Sequence, residues 1–197
     1  FEKAIEYSRK ALTIFRQQGM DQFTMITLPN LATQFMQNDQ LDSANHYFQL
    51  AETLATRYGN KRSLALIYTS LGDLNLESEH LELARDYTLK SIQLKQELNQ
   101  AKGISQAYHN LGLIAFKEQK YPEARKYYLK AMTDADSESR LELLKRIKEV
   151  LVAESNWKEA TRYAEEVQKL GDSLQAEKNM KEIAAAVSQY ETAKKEN

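Results

Sequence analysis

The residue types that perform chemistry are sparse in this chain, and their spacing assembles no reaction. There are three histidines (His46, His80 and His109) and no cysteine. None of the histidines sits in a His-Glu-x-x-His or comparable ligand pattern, so no metal site is expected. The lack of cysteine excludes disulfides, thiolate nucleophiles and Cys-type zinc sites. Leu71-Gly72 and Leu111-Gly112 carry isolated glycines inside helical stretches, not a loop that cradles phosphate. No nucleophile, base and orienting group come together. No catalytic residue and no cofactor are therefore assigned. The carboxylates Glu77, Glu79, Glu82, Glu118 and Glu123 read as solvated helix faces with partners four residues away. Lys and Arg number 27 against 28 Asp and Glu, a formal net charge of -1, with no basic stripe of the kind nucleic acid requires. No apolar run reaches the ~18 residues of a membrane span, and no signal-peptide pattern is present. The chemistry left to this chain is recognition.

The elements that would position recognition residues repeat. Ala4, Ala44, Ala84 and Ala124 recur at intervals of 40 residues. Ser8, Phe48, Thr88 and Tyr128 follow four residues later, then Ala11, Ala51, Ser91 and Ala131. Twelve residues before three of the alanines stand Ala32, Gly72 and Gly112, each preceded by Leu31, Leu71 or Leu111. A fixed period of this length stacks helical hairpins into a solenoid, which is a binding scaffold. Leucine, alanine, glutamate, glutamine and lysine dominate while glycine and proline are scarce, favouring an all-α chain. Gly19 and Gly59 fit helix ends. Pro122 fits the first turn of a helix. Ser137 and Ser155 are candidate caps. Pro29 is expected to kink a helix or delay its start. Trp157 and tyrosines such as Tyr127, Tyr128 and Tyr163 are read as packing residues.

The pattern resembles the tetratricopeptide repeat. Tyr108, Leu111, Gly112, Ala115, Ala124, Tyr128 and Ala131 carry the likeness in one copy. Tyr68, Leu71, Gly72 and Ala84 carry it in the copy before, and Leu28, Leu31, Ala32, Phe35, Ala44, Phe48 and Ala51 in the one before that. A degenerate fourth copy holds Leu144, Ile147, Leu151, Ala160 and Ala164, spaced 36 from its predecessor. The period exceeds the family's usual ~34 residues, which lengthens the two helices by about 1.5 turns in all. The resemblance implies an all-α right-handed superhelix. Its organisation is a partial repeat at 1–20, repeats at about 21–60, 61–100, 101–136 and 137–171, and a C-terminal helix at 172–197.

In this family the first helix of each hairpin lines a concave groove. That register puts Thr33, Met36, Thr69, Asp73, Leu76, His109, Asn110, Leu113 and Phe116 in the groove. Met36, Leu76 and Phe116 either form an apolar ladder for a peptide or pack against neighbouring helices, and apolar residues at helical spacing are more often core. The Lys and Asn clamp that some members use for a terminal carboxylate has no match: its positions read Pro29 and Thr33, Thr69 and Asp73, His109 and Leu113. The partner implied is a protein or peptide; nucleic acid is not expected.

Asp172-Ser173-Leu174-Gln175 reads as a capping box opening a last helix. Met180, Ile183, Ala184, Val187 and Tyr190 form its apolar stripe. Two outcomes are open: the helix caps the solenoid's end, or it starts a coiled coil that joins two copies. The Asp-Ser-Leu start, with Tyr190-Glu191 and Lys194-Lys195-Glu196, is similar to the junction of bacterial tetratricopeptide sensor proteins. There a membrane span and a histidine kinase or helix-turn-helix output follow. This implies a non-catalytic sensor or interaction region cut from a longer signalling protein, its first residues already inside a second helix, with the array on the periplasmic side. The alternatives are an assembly scaffold that does not switch and a cytosolic receptor for peptide pheromones.

Overall fold

The computed structural model describes residues 2–100 and 103–196; side chains 134 and 190–196 lie outside the description, and with them Tyr190 and the Tyr190-Glu191 and Lys194-Lys195-Glu196 motifs. Among the described residues the chain is helical throughout, with no strand. The helices are α1 (Glu2–Gln17), α2 (Asp21–Gln37), α3 (Leu41–Arg57), α4 (Lys61–Glu77), α5 (Leu81–Glu97), α6 (Ile104–Lys117), α7 (Tyr121–Ala131), α8 (Ser137–Ala153) and α9 (Trp157–Glu196). A 3-10 turn at Met132–Asp134 follows α7.

The period of 40 has a simple origin. Helices α2 to α5 are each 17 residues long, and α1 to α4 and α6 are each followed by a three-residue turn. The middle residue of the turn is left-handed every time, with φ +64° at Gly19 and +60° at Gly59 but also +56° at Asp39, +60° at Glu79 and +61° at Gln119. The last turn residue donates its N–H back five positions, as in Asn60 to Ala55 O (2.9 Å), His80 to Asn75 O (2.8 Å) and Lys120 to Ala115 O (2.9 Å). This bond satisfies a carbonyl the helix end would leave orphaned. It also offsets the ~1–2 kcal/mol that a non-glycine residue loses in the left-handed region.

The small-residue columns sit where helices cross. Ala32, Ala44, Ala84, Ala115 and Ala124 are fully buried. A Cβ on Gly72 would come within 2.7 Å of Thr88 Oγ1, and one on Gly112 within 2.9 Å of Tyr128 Cζ and closer still to Cε1. Glycine is thus required at these two points by close approach. Ala4, the founding member of its column, is exposed; among the described residues its helix packs closely only on α2.

Tyr128 is completely buried between α6, α7 and α8, yet its hydroxyl has no hydrogen-bond partner among the described residues. Burial pushes its ionisation well up. A buried hydroxyl without a partner costs roughly 1–3 kcal/mol. Tyr128→Phe is therefore expected to leave the unfolding midpoint unchanged or raise it by up to about 1 kcal/mol of stability, against the usual direction for a core substitution. A loss above that amount in urea titration would show that the hydroxyl is held by an internal water.

Several local expectations are corrected. The caps of the fourth pair lie one residue away from the serines. Asp136 Oδ1 accepts from Ser139 N (2.8 Å) and Asn156 Oδ1 from Glu159 N (3.4 Å). Asp, Asn and Ser serve about equally well as caps, so residue type alone did not separate the neighbouring candidates. Helix α2 runs unbroken through Pro29 from Asp21, so the proline does not delay its start. One missing N–H is outweighed by the burial of Leu28, Leu31, Ala32 and Phe35 around it. Trp157 is 63% exposed on the first turn of α9, not packed. No new helix starts at Asp172: α9 is continuous for 40 residues, and Gly171 lies inside it. Asp172 instead accepts from Gln168 Nε2 at 2.9 Å, one turn earlier. The boundary drawn at 171/172 is thus no break in the helix.

Glu118 and Glu123 are more than solvated helix acids: Glu118 meets Lys120 locally at 2.9 Å, and both also reach across to the hairpin before. Arg85 on α5 holds both, Glu118 through Nη2 and Glu123 through Nη1 at 3.2 Å. Forty residues on, Arg125 holds Glu154 (3.7 Å) and Glu159 (3.2 Å) in the same way. Glu79 likewise meets Lys117 (2.8 Å) of the next hairpin. These clips link successive hairpins.

Candidate peptide-binding face

The first helices of successive hairpins touch one another, α2 on α4 and α4 on α6, whereas among the described residues α3, α5 and α7 pack closely only on their sequence neighbours. The array therefore curves with α2, α4, α6 and α8 inside. All nine groove residues lie on the first three of these helices. Asn110 is buried, and Thr33, Met36, Thr69, Asp73, Leu76, His109, Leu113 and Phe116 are half-buried.

They separate into two groups by what they touch. Met36, Leu76, Leu113 and Phe116 pack onto the hydrophobic core. The Phe116 ring lies 5.6 Å from Tyr121 at the start of the next helix, so it closes its own hairpin. Thr33 hydrogen-bonds locally to Pro29 O (3.0 Å). The other four enter a polar network that spans two repeats. Asn110 Nδ2 on α6 donates to Asp73 Oδ1 on α4. Gln106 Nε2 donates to Asn110 Oδ1 (3.0 Å) and lies 3.3 Å from His109 Nδ1. Thr69 Oγ1 meets Ser91 Oγ at 2.8 Å. Lys95 Nζ, on α5, donates to Thr69 Oγ1 (3.0 Å) and Gly103 O (3.4 Å).

Burial raises the Asp73 pKa, opposed by the Asn110 bond and by Lys95. Burial lowers that of Lys95, opposed by Asp73. The two charges support each other within a face otherwise paired by neutral groups. Such an arrangement orients polar atoms and has no activated nucleophile. Among the described residues no group of three or more His, Asp or Glu is placed to hold a metal ion.

Sequence register missed several parts of this face. Ile26 and Leu66 occupy the same repeat position and are 64% and 61% exposed. Leu66 shares the helix stripe of Thr69 and Asp73, three and seven residues on. They supply free apolar surface, whereas Met36, Leu76 and Phe116 follow the packing alternative. A small cavity of about 130 Å³ between α6 and α8 is lined by Ser105, Gln106, His109, Ser139 and Glu142. Lys95 had a readable signal: its repeat column is Phe15, Ala55, Lys95 and Ala135, a lone cation among apolar residues.

His109 gives this face a pH response. Burial holds its pKa below the ordinary 6.5, and the Arg146 charge adds to that. The folded state therefore favours the neutral ring. Its contribution is present above 6.5 and is lost as pH falls towards the lowered folded value, because the unfolded chain binds the proton first. His109→Gln is expected to flatten the fall in thermal midpoint just below pH 6.5. Identical slopes in the two proteins would exclude His109 as its source.

Comparison with known proteins agrees with this geometry. The profile of the tetratricopeptide repeat family matches residues 105–134. No curated protein matches the chain in sequence. Among solved structures, BtubC (BKLC) from P. vanneervenii superposes with a TM-score of 0.80 at 18% identity, over 89% of this chain and 74% of that one. The repeats of a putative kinesin light chain from Podosopora anserina give 0.73 at 14% identity, over 88% of each chain. A signal transduction ATPase with numerous domains and a tetratricopeptide repeat sensor, from Pyrococcus horikoshii, gives 0.68 at 14% identity, over 86% of this chain and 30% of that one.

Proposed function

Since the chain is an array of tetratricopeptide repeats, a fold that generally serves protein–protein contact rather than catalysis, we propose that it is the sensor region of a signal-transduction protein. A partner segment lies along the inner face, with apolar side chains on Ile26 and Leu66 and polar ones towards the Asp73–Asn110 network. Helix α9 carries the bound state to an output module. The Pyrococcus horikoshii neighbour, described as having a tetratricopeptide repeat sensor, supports this reading by analogy of fold.

The observation that carries the proposal is α9 itself. It starts as the second helix of the last hairpin and packs along α8. It then continues past it, with Met180, Ile183 and Val187 at 72%, 63% and 51% exposure. Spacings of three and four make this the seam of a coiled coil, in which a second copy of the helix buries what the array leaves open. A helix both packed into the array and extended beyond it is a rigid link between the two.

Light scattering on this chain and on an Ile183→Glu, Val187→Glu variant tests it. A dimer that becomes a monomer with unchanged helicity is expected. A monomer in both cases would overturn the relay and leave a plain scaffold.

A further inference from the structure

The outer face of the array changes sign at its C-terminal end. At one repeat position the outer helices carry Glu6 on α1, His46 on α3 and Asp86 on α5, then Lys126 on α7 and Arg162 on α9. In the earlier helices the acid neutralises a lysine one turn on: Glu6 meets Lys10 at 2.6 Å and Asp86 meets Lys90 at 2.7 Å. On α7 the acid is gone and Lys126 stands one turn from Lys130. Like charges at this spacing repel. The Lys130 ammonium lies instead 5.1 Å over the Tyr108 ring.

These cations border a groove. Between α7 and α9 a depression of about 670 Å³ is lined by Arg125, Lys126, Lys130 and Arg162, with Leu129 and Tyr163 as apolar floor. Glu159 is the carboxylate that faces it, and Arg125 already holds that group. Arg162 leans towards Glu166 at 3.8 Å. Leu129 is 47% exposed. Both walls are second helices of their hairpins and run in the same direction. Helix α7 has only 11 residues, against 17 in α5.

We propose that this groove is a second protein-binding site, on the outer face, for an acidic amphipathic helix of a partner protein. Apolar side chains of that helix pack on Leu129 and Tyr163, and its carboxylates meet Lys126, Lys130 and Arg162. The surface fits a helix because a ridge of side chains seats between two helices. Its contact length is that of α7, about 16 Å at 1.5 Å per residue, or three turns.

The probe is a fluorescein-labelled amphipathic peptide of about 14 residues, with leucines three and four apart and glutamates elsewhere. Its control carries lysines in place of the glutamates. Anisotropy with the full chain should show binding of the acidic peptide alone, weakening as salt rises. Lys126→Glu with Arg162→Glu should weaken it at least tenfold. Leu129→Asp should do the same at unchanged circular dichroism. Equal binding of the lysine peptide would overturn the proposal, as would indifference to both variants. Tighter binding of phosphatidylserine vesicles or of oligothymidine, sensitive to the same variants, would also overturn it and make the groove a phosphate surface. The inner-face reading is independent of these outcomes.

Discussion

Gly112→Ala is expected to destabilise the hairpins on either side of it by about 3 kcal/mol, the upper part of the range for overpacked cores. The added Cβ would enter the Tyr128 ring, which is completely buried and has no free side to move into. The same change at Gly72 meets a smaller obstacle, Thr88 Oγ1 at 2.7 Å, and that hydroxyl is tied to Ala84 O at 2.6 Å. A second substitution, Thr88→Ala, is expected to recover much of the Gly72→Ala loss. Gly171 is the control. Nothing among the described residues lies within 4 Å of a Cβ there, and the residue is inside α9, so Gly171→Ala should stabilise that helix by roughly 0.5–1 kcal/mol. Urea titrations of the three variants check the order. If Gly112→Ala and Gly171→Ala change stability alike, the close crossing is not what selects glycine.

Ile147→Asp is expected to remove more than about 4 kcal/mol, because it places an unpaired carboxylate in a closed apolar site. Ile147 is completely buried on α8 in a cluster with Tyr128, Leu151 and Ala160. The loss should be local, since each hairpin in such an array contacts only its neighbours. Amide exchange should lose protection across α8 and the start of α9, while α2 to α5 keep theirs. This also bears on the sensor reading: a variant with a folded groove and a detached α9 should bind a partner yet fail to transmit. Uniform loss of protection along the chain would show that the array folds as one unit.

Much of this molecule is written in local sequence, and the physical reasons are specific. A helix crossing admits only small residues, so Gly72, Gly112 and the buried alanines recur at a fixed interval and reveal the hairpins. The left-handed turn position shows itself at Gly19 and Gly59. It is hidden at Asp39, Glu79 and Gln119, where the backbone hydrogen bonds of the turn hold a side-chain-bearing residue in place. The helix axis through Asp172 was masked by an ambiguity of chemistry. An acid three residues before a glutamine makes a cap at a helix start, but in mid-helix it accepts from the preceding turn.

Which side chains face the groove is legible from register, because a helix turns by a constant angle. What those side chains do there was decided by packing. Met36, Leu76 and Phe116 hold the right register but pack onto the core, leaving Ile26 and Leu66 free. Glu118 and Glu123 have the spacing of solvated helix acids and are taken by Arg85 from the hairpin before. Lys95 reaches the inner face from an outer helix. Repeat sequence by itself determined the hairpins, their period and the inner and outer faces, since those follow from side-chain size at crossings. The pairing of charges across hairpins and the groove between α7 and α9 bring together residues thirty or more positions apart, and only the tertiary structure decided them.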